Sequence, residues 1–148
     1  MSTIFEALTT DHDRQRALAD ELLQTVGDSD DRRRLFDELQ AELTAHAKHE
    51  ERHFYVPLLE HDLTQEKARH SVAEHKELDD YVEQLETYDR SAPQWLQTAE
   101  QLVDRLRHHL EEEEREVFQL AGKALTDGEK TTLAEHYIDA MADERATT

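Results

Sequence analysis

The chain has no cysteine, which excludes disulfides, thiolate metal sites and thiol nucleophiles in one step. Any metal it holds must be bound through nitrogen and oxygen. Only three glycines and two prolines are present, far too few for an all-β fold with its many tight turns. No apolar run reaches the roughly 18 residues of a membrane span. The start, Met1-Ser2-Thr3-Ile4-Phe5-Glu6, has no basic stretch followed by an apolar one, so no leader is expected. Basic residues are scarce as well: 17 Lys and Arg stand against 36 Asp and Glu, a formal charge of −19. Such a surface repels nucleic acid and anionic membrane and gathers cations. The expectation is a soluble, cytoplasmic protein, a monomer or weak homo-oligomer, forming a single domain over residues 1–148.

What the chain does contain is Ala, Leu, Glu, Gln and Arg in helical periodicity, which makes it all-α. A first helix is expected from Ile4 to Val26, ending at Gly27-Asp28-Ser29-Asp30. A second starts near Asp31 and carries Leu35, Leu39, Leu43, His46, Glu50 and His53 on one stripe, with a kink expected at Pro57. A third runs from Thr64 to Tyr88. After a turn with Ser91 as N-cap and Pro93 in the first helical turn, a fourth follows Leu102, Leu106, His109 and Glu113 towards Gly122. Thr126-Asp127-Gly128-Glu129 has the form of a capping box. It introduces a short last helix over about 127–142, with Leu133, Tyr137 and Met141 on one face, read as a lid or packing segment. Short connections make neighbouring helices antiparallel, so residues 4–122 should form an up-down-up-down four-helix bundle.

The chemistry-bearing pattern is a repeat. His46 and Glu50 stand four residues apart, as do His109 and Glu113, and on a helix each pair shares one face. His12 precedes His46 by 34 residues, and His75 precedes His109 by the same interval, so His12, His46 and Glu50 map onto His75, His109 and Glu113 by a constant shift of 63. Counted from the intervening turns at about 1.5 Å per residue, all four histidines fall at one level of the bundle. Polar groups on an inward stripe are costly unless satisfied. A buried His/Glu hydrogen-bond network is one solution; a cation is the better one. Four imidazoles and two carboxylates suit Fe, Mn or Zn, and two carboxylates from facing helices can bridge a pair of ions.

This order of residues, with Glu50-Glu51 followed by Phe54-Tyr55-x-Pro57, resembles the hemerythrin family, specifically the bacterial hemerythrin-like (HHE cation-binding) domains, over roughly Ile4 to Ala121. The resemblance implies two non-haem Fe ions held by His12, His46, Glu50, His75, His109 and Glu113, meeting O₂, H₂O₂ or NO. Oxygen-carrying members have a His-x-x-x-His pair on the third helix; here the flanking positions are Ser71 and Asp79, and position 114 is Glu rather than Asp. The set is therefore closer to the hemerythrin-like enzymes and iron-centre repair proteins. Catalase-like peroxide removal is the favoured function, with Asp79, His53 or Glu51 moving protons. The alternative is a non-catalytic module that senses, stores or delivers O₂, NO or iron, although a receptor is disfavoured by the lack of an appended signalling domain, and repair by the lack of a cysteine-bearing module. Among the other histidines, His49 and His108 point off the stripe and are read as surface, and His61, His70 and His136 as solvated. Trp95 and Phe118 are read as core. Tyr55 would face away from His46 on an ideal helix, with the Pro57 kink able to turn it.

Overall fold

The computed structural model describes residues 2–147, and no strand occurs among them. Four long helical runs and a fifth helix account for the chain: α1 (Ile4–Leu23), α2 (Asp30–Glu50) continuing into α3 (Val56–Leu59), α4 (Gln65–Thr87), α5 (Pro93–Glu112) continuing into α6 (Phe118–Ala124), and α7 (Asp127–Thr147). A complete capping box opens α1, with Glu6 N–H donating to Thr3 Oγ1 and Thr3 N–H to Glu6 Oε1. The first turn needs a left-handed residue, which Gly27 supplies at φ +60. Ala92 caps α5 rather than Ser91, whose hydroxyl and backbone N–H both donate to Asp89 Oδ1. The expected box at Thr126 and Glu129 is present. The helix it opens is 21 residues long, not short.

The expected kink at Pro57 does not end the second run. Helix continues through it, and the irregularity lies one turn earlier, where Glu51–Tyr55 is π-helical. The fourth run has the same feature at Glu113–Val117, where no proline stands, so proline is not the cause. In both, the closing N–H reaches back five residues: Val56 to Glu51 and Phe118 to Glu113. An α-helix drifts by about 40° over every four residues. The wider π turn takes up that drift, so Glu50, Phe54 and Leu58, and likewise Glu113, Val117 and Ala121, continue one buried stripe at a spacing of four.

The apolar interior is in two parts. One cluster holds Leu22, Leu39, Leu43, Leu78, Val82, Trp95, Leu102 and Leu106; the other holds Ile4, Leu8, Phe54, Leu58, Ala68, Val117, Tyr137 and Met141. Along α1 and α4 the chain passes from the second cluster to the first, and along the α2 and α5 runs from the first to the second. In each run a histidine sits at the crossing: His12, His46, His75 and His109, all buried. A polar layer thus divides the core.

Candidate metal centre

Four imidazoles and two carboxylates converge in that layer. His12 Nε2 lies 3.1 Å from Glu113 Oε1 and 3.7 Å from Glu50 Oε2. Glu50 Oε1 is 3.3 Å from His46 Nε2 and 3.2 Å from His75 Nε2, and Glu113 Oε2 is 3.9 Å from His109 Nε2. These atoms fall into two overlapping donor groups, His12, His46, Glu50 and Glu113 in one, Glu50, His75 and His109 in the other, each with its donor atoms within 4.8 Å of one another.

Each ring is held from outside by its other nitrogen. His12 Nδ1–H donates to Glu114 Oε2 at 2.7 Å, His75 Nδ1–H to Glu51 Oε2 at 3.0 Å, and His109 Nδ1–H to Glu74 Oε1 at 2.9 Å. His46 Nδ1–H donates to the Tyr137 hydroxyl at 2.6 Å, whose own proton goes to Asp11 Oδ2 at 2.5 Å. A carboxylate only accepts, and the phenol has its hydrogen engaged, so the proton of every ring resides on Nδ1. The lone pair on every Nε2 then faces inward, the tautomer that metal-binding histidines adopt when a carboxylate or carbonyl holds the far side.

The inner atoms themselves are unsatisfied. The Nε2 atoms of His12, His46 and His109 and all four oxygens of Glu50 and Glu113 are buried without a well-formed hydrogen bond, because lone pair meets lone pair across the layer. Leaving one such group unmade costs about 1–3 kcal/mol, and seven together are untenable unless something positive sits among them. The donor set therefore fits a cation. With protons alone to balance the charge, the groups diverge sharply. Burial would hold His12 neutral, but Glu113, Glu114 and Glu50 together carry its pKa well above the ordinary value. The same contest, with Glu50 and Glu51 opposing burial, brings His75 to about 9. His46 is depressed by its burial. Glu50, despite burial, lies well below the usual carboxylate range because His46, His12 and His75 face it, whereas burial and the charge of Glu50 push Glu113 well above it.

The shift of 63 residues is visible as a two-fold relation. Glu114 of the second half holds His12 of the first, and Glu51 of the first half holds His75 of the second. The relation is broken once. Glu74 binds His109 directly, but its counterpart Asp11 reaches His46 only through Tyr137, on α7. Arg145, also on α7, donates to Asp11 and to both oxygens of Glu42. Arg16 donates to Glu114 Oε1 at 2.8 Å, and with His12 it overcomes burial to hold that carboxyl down at about 2.

Of the residues considered as proton movers, Glu51 touches a ring of the layer. Asp79 is exposed and lines a cavity beside the layer. His53 lies outside it, half-buried, with ring centroids 6.0 Å from His49 and 6.1 Å from His136. His49, expected at the surface, is buried against α7, its Nε2 3.1 Å from Glu144 Oε1; the long last helix covers a face that looks free in the sequence. Phe118 stacks on His12 at 6.0 Å. Tyr55 is fully buried with its ring 5.6 Å from His75, turned there by the π segment.

Sequence reading missed Gln15. It is fully buried with neither amide atom hydrogen-bonded, and it lines the same cavity, of about 20 Å³, with His46, His75 and His109. Exposed Thr44 and Asp79 mark the cavity rim, and Leu43, Leu78, Val82 and Leu106 make its walls. A signal existed: Gln15 stands one turn after His12, and its repeat counterpart is Leu78.

A helical bundle whose interior is crossed by a layer of inward-facing imidazoles and carboxylates defines a cation-binding protein. The chain belongs to the hemerythrin family, whose HHE cation binding domain profile matches residues 3–121. It is similar to a hemerythrin HHE cation binding domain-containing protein from Mycobacterium kansasii, whose crystal structure superimposes with a TM-score of 0.89 at 26% identity, covering 99% of this chain and 90% of that one. No curated relative matches. Among the described residues no helix is long and apolar enough to cross a membrane.

Proposed function

We propose that the protein is a non-haem di-iron oxidoreductase that removes peroxide, with His12, His46, Glu50, His75, His109 and Glu113 as the iron ligands and the four long helical runs arranged up-down-up-down around them. The observation that carries the peroxide reading is the unpartnered amide of Gln15 in a small cavity against three of the four imidazoles. Hydrogen peroxide both donates and accepts hydrogen bonds and matches an amide, which offers N–H and C=O side by side. Dioxygen is a weak acceptor only. A cavity of about 20 Å³ admits a molecule of water or peroxide size and excludes organic substrates. Iron supplies the redox capacity that disproportionation needs, as one peroxide is reduced to water while a second is oxidised to dioxygen.

The chain's own groups do the rest. Leu43, Leu78, Val82 and Leu106 give the cavity apolar walls, and Gln15 orients the peroxide. Glu114, Glu51 and Glu74 keep the protons of His12, His75 and His109 on Nδ1, so that each ring binds through Nε2. Glu51 is 37% exposed at its side chain and links His75 to solvent, and Asp79 at the rim relays protons between the cavity and solvent in both directions.

The test is to load the metal-free protein with Fe²⁺ under anaerobic conditions, count the iron, and add peroxide at an oxygen electrode. Two irons per chain and O₂ evolution are expected. A protein that binds iron, leaves peroxide untouched and forms an oxygenated species releasing O₂ intact under vacuum would instead be a carrier or sensor.

A further inference from the structure

We infer that His70, Glu74 and Glu112, with His108 beside them, form an outer binding site for a divalent transition-metal cation on the face shared by α4 and α5. Two His-x-x-x-Glu pairs meet there, His70/Glu74 on α4 and His108/Glu112 on α5. His70 Nε2 lies 3.5 Å from Glu74 Oε2 and 3.6 Å from Glu112 Oε1, and the other oxygen of Glu112 lies 3.2 Å from His108 Nε2. One donor atom from each of His70, Glu74 and Glu112 falls within 4.8 Å of the others. A tetrahedral cation with bonds of about 2.0–2.1 Å holds its donors about 3.3–3.4 Å apart, and the two distances from His70 exceed that spacing by only a few tenths of an ångström.

An exposed His/Glu pair on one helix is ordinarily a solvated ion pair contributing little. Two features set this cluster apart. The pairs come from different helices and converge through Glu112, which spans both imidazoles. The cluster also has no equal on the other side of the two-fold relation: there Asp11, the counterpart of Glu74, is engaged by Arg145 and Tyr137 under α7, whereas Glu74 gives one oxygen to His109 and turns the other to His70. The imidazoles are 54% and 61% exposed and the carboxylates only 14% and 16%, so a hydrated cation can reach donors that are already held in place. An imidazole and two carboxylates, with a second imidazole on the far oxygen of Glu112, suit Zn²⁺, Fe²⁺ or Co²⁺ rather than Ca²⁺. This site rests on its own donors and does not depend on the inner layer holding iron.

Isothermal titration with Zn²⁺ tests it, using the iron-loaded full chain and, in parallel, a His46→Ala/His109→Ala chain whose inner donors are reduced. In both, one Zn²⁺ per chain is expected to bind beyond any inner ion. The affinity should fall at least tenfold on adding His70→Ala/His108→Ala, with the iron content of the otherwise wild-type chain unchanged. Glu112→Gln, which removes charge at constant shape, should weaken Zn²⁺ binding likewise. Zn²⁺ binding that is unaltered by these substitutions, or no Zn²⁺ uptake in either background, overturns the proposal.

Discussion

Gln15 and Leu78 occupy equivalent places in the two halves, and both line the cavity, but one is an amide with no partner and the other is apolar. Copying the repeat with Gln15→Leu removes a buried unsatisfied group, so the variant should gain about 1–2 kcal/mol of stability while peroxide turnover drops. Calorimetry and oxygen evolution on the same preparation check both halves of that expectation; a variant as active as wild type would remove Gln15 from the mechanism. Tyr137 presents the opposite case. Tyr137→Phe leaves His46 Nδ1–H and Asp11 Oδ2 without the hydroxyl that joins them, and loss of such an outer partner typically weakens metal binding about 10- to 100-fold. Chelator competition measures it, and unchanged retention would show that the phenol only packs. The convergence of His12, His46, Glu50, His75, His109 and Glu113 was legible in the sequence because a constant spacing repeats them. Tyr137, Gln15 and the burial of His49 were not, since each depends on contacts made across the chain, 91 residues for Tyr137 and 95 for His49.

The long helical runs followed from periodicity, capping residues and the scarcity of glycine and proline, and their ends lay within a few residues of expectation. The two π turns did not, because nothing in local propensity marks a segment where one residue too many is absorbed into a helix. Their effect is to keep Glu50 and Glu113 in line with the apolar stripe beyond them. Inserting one alanine after Arg115, which is exposed and lies within Glu113–Val117, adds a residue beyond the one the π turn already absorbs and should rotate residues on one side of it by about 100° relative to the other. Helical circular dichroism should persist while at least half of the bound metal is lost. Full metal content in the insertion chain would mean that the register across the π turn is not needed to aim the carboxylate. The length of α7 was also underestimated, since its last turns are polar in sequence; they are held by Arg145 on Asp11 and Glu42 and by Glu144 on Lys48 and His49.

For the molecule as a whole, the layer couples protons, metal and folding. His75 rises from its ordinary value to about 9 in the folded metal-free chain, and His12 moves the same way. A raised folded-state pKa gives stability that is complete below the unfolded value near 6.5 and is lost as pH rises through about 9. Metal binding runs the other way, because ligands must shed protons. The difference in melting temperature between loaded and chelated protein should therefore widen from about pH 6 to about pH 9, by on the order of several degrees, and a difference flat across that range would dissociate the layer from metal binding. The same layer is lopsided. One donor group has four members and includes His46, backed by a neutral phenol; the other has three and includes His109, backed by a carboxylate. Two irons held there, as proposed, would have unequal surroundings, so Mössbauer spectra of the iron-loaded protein should resolve two quadrupole doublets of equal area, and on titration one should fill before the other appears.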